Sequence, residues 1–74
     1  MSVIQYMIAD HVGVRENLAS QAAYHKAGNR IYPAGATETE AVEATVAWIG
    51  TLETWCERED AIIASLRKVA ATYA

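Results

Sequence analysis

The chain has 74 residues, about the length of one small domain, and a core of this size is marginal without a disulfide, a metal or a partner. Fifteen of its apolar residues are alanine, and the lone cysteine, Cys56, excludes an intrachain disulfide, so we expect oligomerisation. A formal net charge of −3 disfavours general binding of nucleic acid or of anionic membranes. Gln5 and Asp10 interrupt the apolar N-terminal stretch, which favours neither a signal peptide nor a membrane span and leads us to expect a cytoplasmic protein.

The first predicted element is a helix over about residues 3–29. Ser2 followed by Gln5 is a capping-box pattern, and alanine, the best helix former, is frequent toward the end of the segment. The best heptad seam along this helix is partly polar and consists of Ile4, Met7, His11, Val14, Leu18, Gln21, His25 and Gly28.

A turn is predicted next, over about residues 31–36, because Pro33 disfavours helix at the residue before it and Gly35 follows closely. Thr37 and Glu40 then form a second capping box, which begins a helix over about residues 38–72. Gly50 lies inside this helix and is either tolerated or marks a kink. A sustained heptad pattern supports the helix, with one set of positions at Val42, Ile49, Cys56, Ile63 and Ala70 and the other at Thr45, Leu52, Glu59, Leu66 and Tyr73.

Two helices joined by a short loop predict an all-α fold, an antiparallel helical hairpin with heptad packing of the coiled-coil type. A further apolar stripe lies beside the seam of the second helix and widens its apolar face: Trp48, Trp55, Ile62 and Val69. One partner helix cannot cover this width, and soluble monomers avoid exposing such a patch. We therefore predict that the stripe is an oligomer interface, and that hairpins assemble into a dimeric four-helix bundle or a higher oligomer.

A polar pair is predicted between the two helices. Turn geometry indicates that residues facing each other across the hairpin have numbers that sum to about 70. This register sets His11 against Glu59 as a buried polar pair that fixes how the helices align. Two copies of the pair in a symmetric dimer, together with Asp10, are an alternative metal site. Because the Glu-x-x-His pattern of di-iron bundles is absent, we predict no metal.

One locally basic, aromatic segment ends the first predicted helix and enters the turn; it contains Tyr24, His25, Lys26, Arg30 and Tyr32. Arginine binds phosphate or carboxylate through two parallel hydrogen bonds and aromatic rings stack on a base, so this segment is a candidate site for a small anionic ligand such as a nucleotide. The alternative is structural: Lys26 and Arg30 complement the C-terminus of the helix, and Gly28 or Asn29 caps it.

The second predicted helix is strongly acidic. Residues 38–60 include seven acidic side chains and one base, Arg58, and none of these acids has an opposite charge three or four positions away. Either a solvated face or a basic partner surface accounts for this charge.

No catalytic residue and no cofactor are predicted, because Cys56 lies on the seam and neither Ser20 nor Ser65 has an evident base. We therefore expect a non-enzymatic, oligomeric binding protein that engages a protein partner. The alternative is an oligomer that holds a small anionic ligand between its subunits.

Overall fold

A computed structural model describes residues 2–73 of the chain. Helix α1 spans Val3–Lys26, helix α2 spans Glu38–Thr72, and residues 27–37 link them. The two helices pack against each other in antiparallel orientation, in a molecule that measures 54 × 19 × 17 Å. No strand occurs within the described residues. The prediction of an all-α helical hairpin is confirmed.

Both helices begin at the predicted capping boxes. Ser2 Oγ accepts a hydrogen bond from the Gln5 N–H at 3.2 Å, and Gln5 Oε1 accepts one from the Ser2 N–H at 2.8 Å. Thr37 and Glu40 repeat the arrangement at 3.2 and 3.3 Å. Each box provides partners for backbone N–H groups that have none inside the helix, which explains why the sequence located both starts.

The end of α1 differs from the prediction. The helix stops at Lys26 rather than near residue 29, because Gly28 adopts a φ of +108°, which residues other than glycine rarely adopt. The Gly28 N–H donates to the His25 carbonyl at 3.1 Å, and the Asn29 side-chain amide donates to the Tyr24 carbonyl at 2.8 Å. The capping role predicted for Gly28 and Asn29 is therefore present, and the helix ends about three residues earlier than predicted.

The linker folds back onto the start of α2 through one buried hydroxyl. Thr45 is 5% exposed; its Oγ1 donates to the Ala41 carbonyl at 2.7 Å and accepts a hydrogen bond from the Ile31 N–H at 2.8 Å. A turn follows in which the Ala36 N–H donates to the Pro33 carbonyl at 2.9 Å. The polar seam position at Thr45 thus anchors the linker.

Helix α2 is continuous through Gly50, whose carbonyl accepts a hydrogen bond from Thr54 Oγ1 at 3.0 Å. Most of its predicted seam faces α1, with Leu52 fully buried at the centre. The seam departs from the prediction at its ends, where Tyr73 is exposed and Ala41, rather than Val42, is buried. The linker covers this first turn, so the side that it contacts is buried there.

The seam of α1 was predicted correctly at every second position and wrongly between them. Four predicted residues are half-buried, namely Ile4, His11, Leu18 and His25, whereas Met7, Val14, Gln21 and Gly28 are exposed. The buried or half-buried residues that lie between these four are Ile8, Val12, Arg15, Ala19 and Ala22, of which Ile8, Arg15 and Ala22 continue the seam. A seam residue has neighbours three and four positions away on the same face, so both choices were open. The helices pack through the second choice, which leaves Met7 and Val14 on the surface.

Candidate interaction surface

The hairpin has two long edges, on which side chains of both helices flank the seam. In heptad lettering, the seam of α1 has Ile8, Arg15 and Ala22 at a and His11 and Leu18 at d, and the seam of α2 has Cys56 and Ile63 at a and Leu52 and Glu59 at d. Because the helices are antiparallel, the g positions of both lie along one edge and the e positions of both lie along the other. The two edges differ sharply in chemistry.

Ion pairs join the helices on the e side, which we call the polar edge (Arg15, Lys26, Glu53 and Asp60). Arg15 Nε lies 3.1 Å from Asp60 Oδ1, and Lys26 Nζ lies 3.4 Å from Glu53 Oε1. Between the pairs is an open groove of about 310 Å³ whose lining includes Ala22. Each of these four charges has a partner within the chain, whereas Glu57, which also lines the groove, has none within residues 2–73.

The g positions form the opposite edge, which we call the apolar edge; it consists of Met7, Val14, Trp48, Trp55, Ile62 and Val69. Trp48 is half-buried, and its ring packs edge to face against Trp55, with centroids 5.5 Å apart and planes at 89°. The other five side chains are each between 39% and 47% exposed. The four α2 residues are those predicted from the sequence as an interface, and the structure adds Met7 and Val14 beside them.

His11 and Glu59 meet in the seam between the two edges. Because an ionised carboxylate only accepts, the His11 Nδ1–H donates to Glu59 Oε2, over 2.6 Å. The side chains are 33% and 16% exposed, so the pair is half-buried rather than buried. The register that predicts this contact also places Leu18 opposite Leu52, at the centre of the hairpin.

The basic, aromatic segment is divided between two places. Lys26 belongs to the polar edge, whereas Arg30 forms an ion pair with Glu38 in the linker region. Glu38 also accepts a hydrogen bond from the Tyr32 hydroxyl, at 2.9 Å. Since Glu38 and Glu53 are fifteen residues apart on α2, these two groups lie about 22 Å apart along the helix axis.

The aromatic neighbours in this segment serve the helix end. The His25 Nδ1–H donates to the Asn29 carbonyl at 2.7 Å, and the His25 ring packs against Tyr24 with centroids 5.3 Å apart. The five residues predicted as a ligand site therefore take part in separate contacts within the chain. Both of their cationic groups are ion-paired with acids of α2.

Most acids of α2 that lack a partner along their own helix find one across the hairpin. Contacts within the chain, three with α1 and one with the linker, pair Glu38, Glu53, Glu59 and Asp60. Sequence reasoning missed the three that involve Lys26, Arg15 and Arg30. The available signal was that bases on α1 and in the linker stand against acids on α2. Long side chains reach about one turn beyond the residue that they face, so the sum of two residue numbers does not identify the pairs.

The remaining candidates are a reactive cysteine, a metal site and a membrane-spanning helix, and the described residues support none of them. Cys56 is half-buried, with Sγ 3.8 Å from the Arg15 carbonyl, as expected of a packed seam residue. Among residues 2–73, no three His, Cys, Asp or Glu side chains come together as a metal-binding group. Nor does either helix have the length of apolar sequence that crossing a membrane requires.

Comparison with known proteins yields no relative: no family model, no curated protein and no solved structure matches this chain.

Proposed function

We propose that this protein is a non-enzymatic interaction module that engages protein partners, a second copy of the chain first among them, through the apolar edge. The observation that supports this proposal is the uneven division of chemistry between the two edges of the hairpin. Charges on the polar edge are matched within the chain, whereas the apolar edge presents five large side chains that are about two-fifths exposed. A surface of this kind is typical of protein interfaces.

Burial of the apolar edge supplies a substantial driving force. Completely burying a large apolar side chain contributes about 1.5–3 kcal/mol, so removing the remaining two-fifths contributes about 1 kcal/mol for each of the five residues. Trp55 lies at the middle of the edge with its ring already held by Trp48. An aromatic side chain fixed in this way loses little conformational entropy on binding, which favours it as an anchor.

The acidic character of α2 supports the apolar edge over an electrostatic surface. Four of its acids pair with α1 or the linker, and Glu40 serves in the capping box. Glu43 and Glu57 are exposed and have no ion-pair partner within residues 2–73. Two separated exposed charges contribute little binding energy.

The alternative, capture of a small anion by Lys26 and Arg30, requires a ligand to displace the carboxylates of Glu53 and Glu38. A nucleotide held by both cations of one chain would need them at one place, which the separation of these ion pairs along α2 opposes. These contacts favour the protein-binding proposal, and the anion site stays a prediction.

The test is the native mass of matched glutamate variants. We expect the wild-type protein to form an oligomer by size-exclusion chromatography with light scattering. Trp55→Glu should reduce it to a helical monomer, because a carboxylate cannot be buried at the centre of an apolar interface. Val46→Glu is the control, since Val46 is 64% exposed and occupies an e position on the opposite edge. A Trp55→Glu protein that keeps both the wild-type mass and its helicity would refute the proposal.

A further inference from the structure

Two opposite charges border the apolar edge on its outer sides. Asp10 lies three residues after Met7 and Arg58 lies three residues after Trp55, and each is turned away from the seam. Both side chains are exposed, and neither has an ion-pair partner within residues 2–73. Both occupy c positions of the heptad, next to the g positions of the apolar edge, and every other c position of α1 and α2 holds an uncharged residue. An interface that ends at this rim brings both charges next to whatever covers the edge.

The register places these two charges at nearly the same level along the hairpin. Contact between His11 and Glu59 fixes the levels of the two helices. Asp10 is one residue before His11 and Arg58 is one residue before Glu59, and because the helices run in opposite directions their levels differ by about 3 Å. The apolar edge lies between the two side chains. They therefore form a pair of opposite charges across the middle of the edge, separated by its width.

From this arrangement we propose that a second copy of the chain covers the apolar edge, in one orientation. Resting on the proposed function, this inference adds that the two-fold axis is parallel to the helices. Helix α1 of each copy then lies against α2 of the other, with every neighbouring pair of helices antiparallel, as in a four-helix bundle. A rotation about this axis preserves levels along the hairpin. Asp10 of each copy consequently meets Arg58 of the other, and two symmetric ion pairs close the rim.

The other face-to-face arrangement has its two-fold axis across the hairpin, so that α1 lies on α1 and α2 on α2. Arg58 is near the middle of the stretch from Trp48 to Val69, and Asp10 is near the middle of that from Met7 to Val14. An axis through the centre of the edge thus places Arg58 of one copy beside Arg58 of the other, and likewise Asp10 beside Asp10. Like charges would face each other on both rims, which disfavours this arrangement.

Charge reversal at the rim distinguishes the two orientations. Asp10→Lys or Arg58→Glu alone replaces both attractions of the proposed dimer by repulsions. We expect each to weaken dimerisation about tenfold at low salt, measured by sedimentation. The double variant Asp10→Lys/Arg58→Glu should recover the wild-type dissociation constant. Glu16→Lys and Lys68→Glu make the same changes of charge at exposed positions away from the apolar edge, and should leave the constant within about twofold.

Mixing provides the second arm of the experiment. In the proposed orientation, wild type and the double variant repel each other at both rims, so an equal mixture should sort into homodimers by native mass spectrometry. In the other orientation the same mixture would favour heterodimers, and the single reversals would leave dimerisation unchanged. Either result would overturn the proposed orientation while leaving self-association intact. A wild-type protein that stays monomeric at millimolar concentration would instead overturn the self-association on which the inference rests.

Discussion

Replacing His11 and Glu59 together by leucine should stabilise the protein, although each partner is well placed in the structure. Both residues occupy d positions in a seam that is otherwise mainly apolar, and their hydrogen bond is short, at 2.6 Å. A half-buried hydrogen-bonded pair that contains a carboxylate must offset the cost of withdrawing its polar groups from water, and well-packed apolar residues often replace a buried ion pair with a gain of about 1–4 kcal/mol. Because His11 is 33% exposed, we expect a smaller gain, about 1 kcal/mol.

The two single substitutions should differ from each other. His11→Leu leaves the Glu59 carboxylate, 16% exposed, without its donor and facing an apolar side chain, so we expect a loss of about 1–2 kcal/mol. Glu59→Leu leaves an imidazole that can be neutral and can bind water through its exposed third, so the change should be within about 0.5 kcal/mol. We therefore expect the double variant to be the most stable, the wild type and Glu59→Leu to be about equal, and His11→Leu to be the least stable.

Urea unfolding followed by circular dichroism measures these differences, at two protein concentrations so that self-association is separated from folding. Equal losses in the two single variants would refute the argument from unequal exposure. A double variant less stable than wild type would show that the pair contributes net stability to the fold, contrary to the desolvation argument. In either case the register itself can be followed through the burial of Leu52.

Two further predictions concern the linker and the basic segment. Thr45→Val should lower stability by about 1–2 kcal/mol, because the Ile31 N–H loses its acceptor, whereas Thr51→Val, whose hydroxyl only donates to the Ala47 carbonyl, should cost under about 0.5 kcal/mol; urea unfolding and hydrogen exchange at Ile31 check both. A panel of nucleotides should leave the melting temperature of the wild type unchanged, since Glu38 occupies the Arg30 guanidinium. A rise that Arg30→Ala abolishes would contradict this and establish the anion site.

Local signals in the sequence were sufficient for the helix starts and for most of α2. A capping box needs only a hydroxyl and a carboxylate or amide three residues apart, and its geometry is the same in any context. The heptad pattern of α2 has large apolar residues at most of its seam positions, so only one face can be buried. The heptad pattern keeps one register on both sides of Gly50, which favours a tolerated glycine over a kink, and the helix is continuous there.

The seam of α1 was harder to predict because its candidates were balanced. Met7 and Val14 are more apolar than Arg15, so hydrophobicity favoured the wrong flank at that position. Arg15 is accommodated at the seam because its side chain leaves it for the polar edge, where the guanidinium reaches Asp60 and the side chain is 43% exposed. Such an arrangement depends on the partner helix and on a chosen rotamer, neither of which is visible in a local pattern. The end of α1 was missed for a related reason, since the φ of Gly28 is set by capping contacts on both sides of it.

The observed seam of α1 extends the predicted interface stripe from one helix to two. On α2 alone, the row from Trp48 to Val69 widens one helix. Once Met7 and Val14 are placed at g positions of α1, both helices carry most of their large surplus apolar residues on the same edge of the hairpin. A two-helix seam is satisfied by a and d positions, whereas a helix of a four-helix bundle needs a third apolar position in each heptad, at e or g. Choosing g on both antiparallel helices, with ion pairs on the opposite side of the seam, gives every helix one neighbour within the hairpin and one across the apolar edge, which is the arrangement that a pair of hairpins requires.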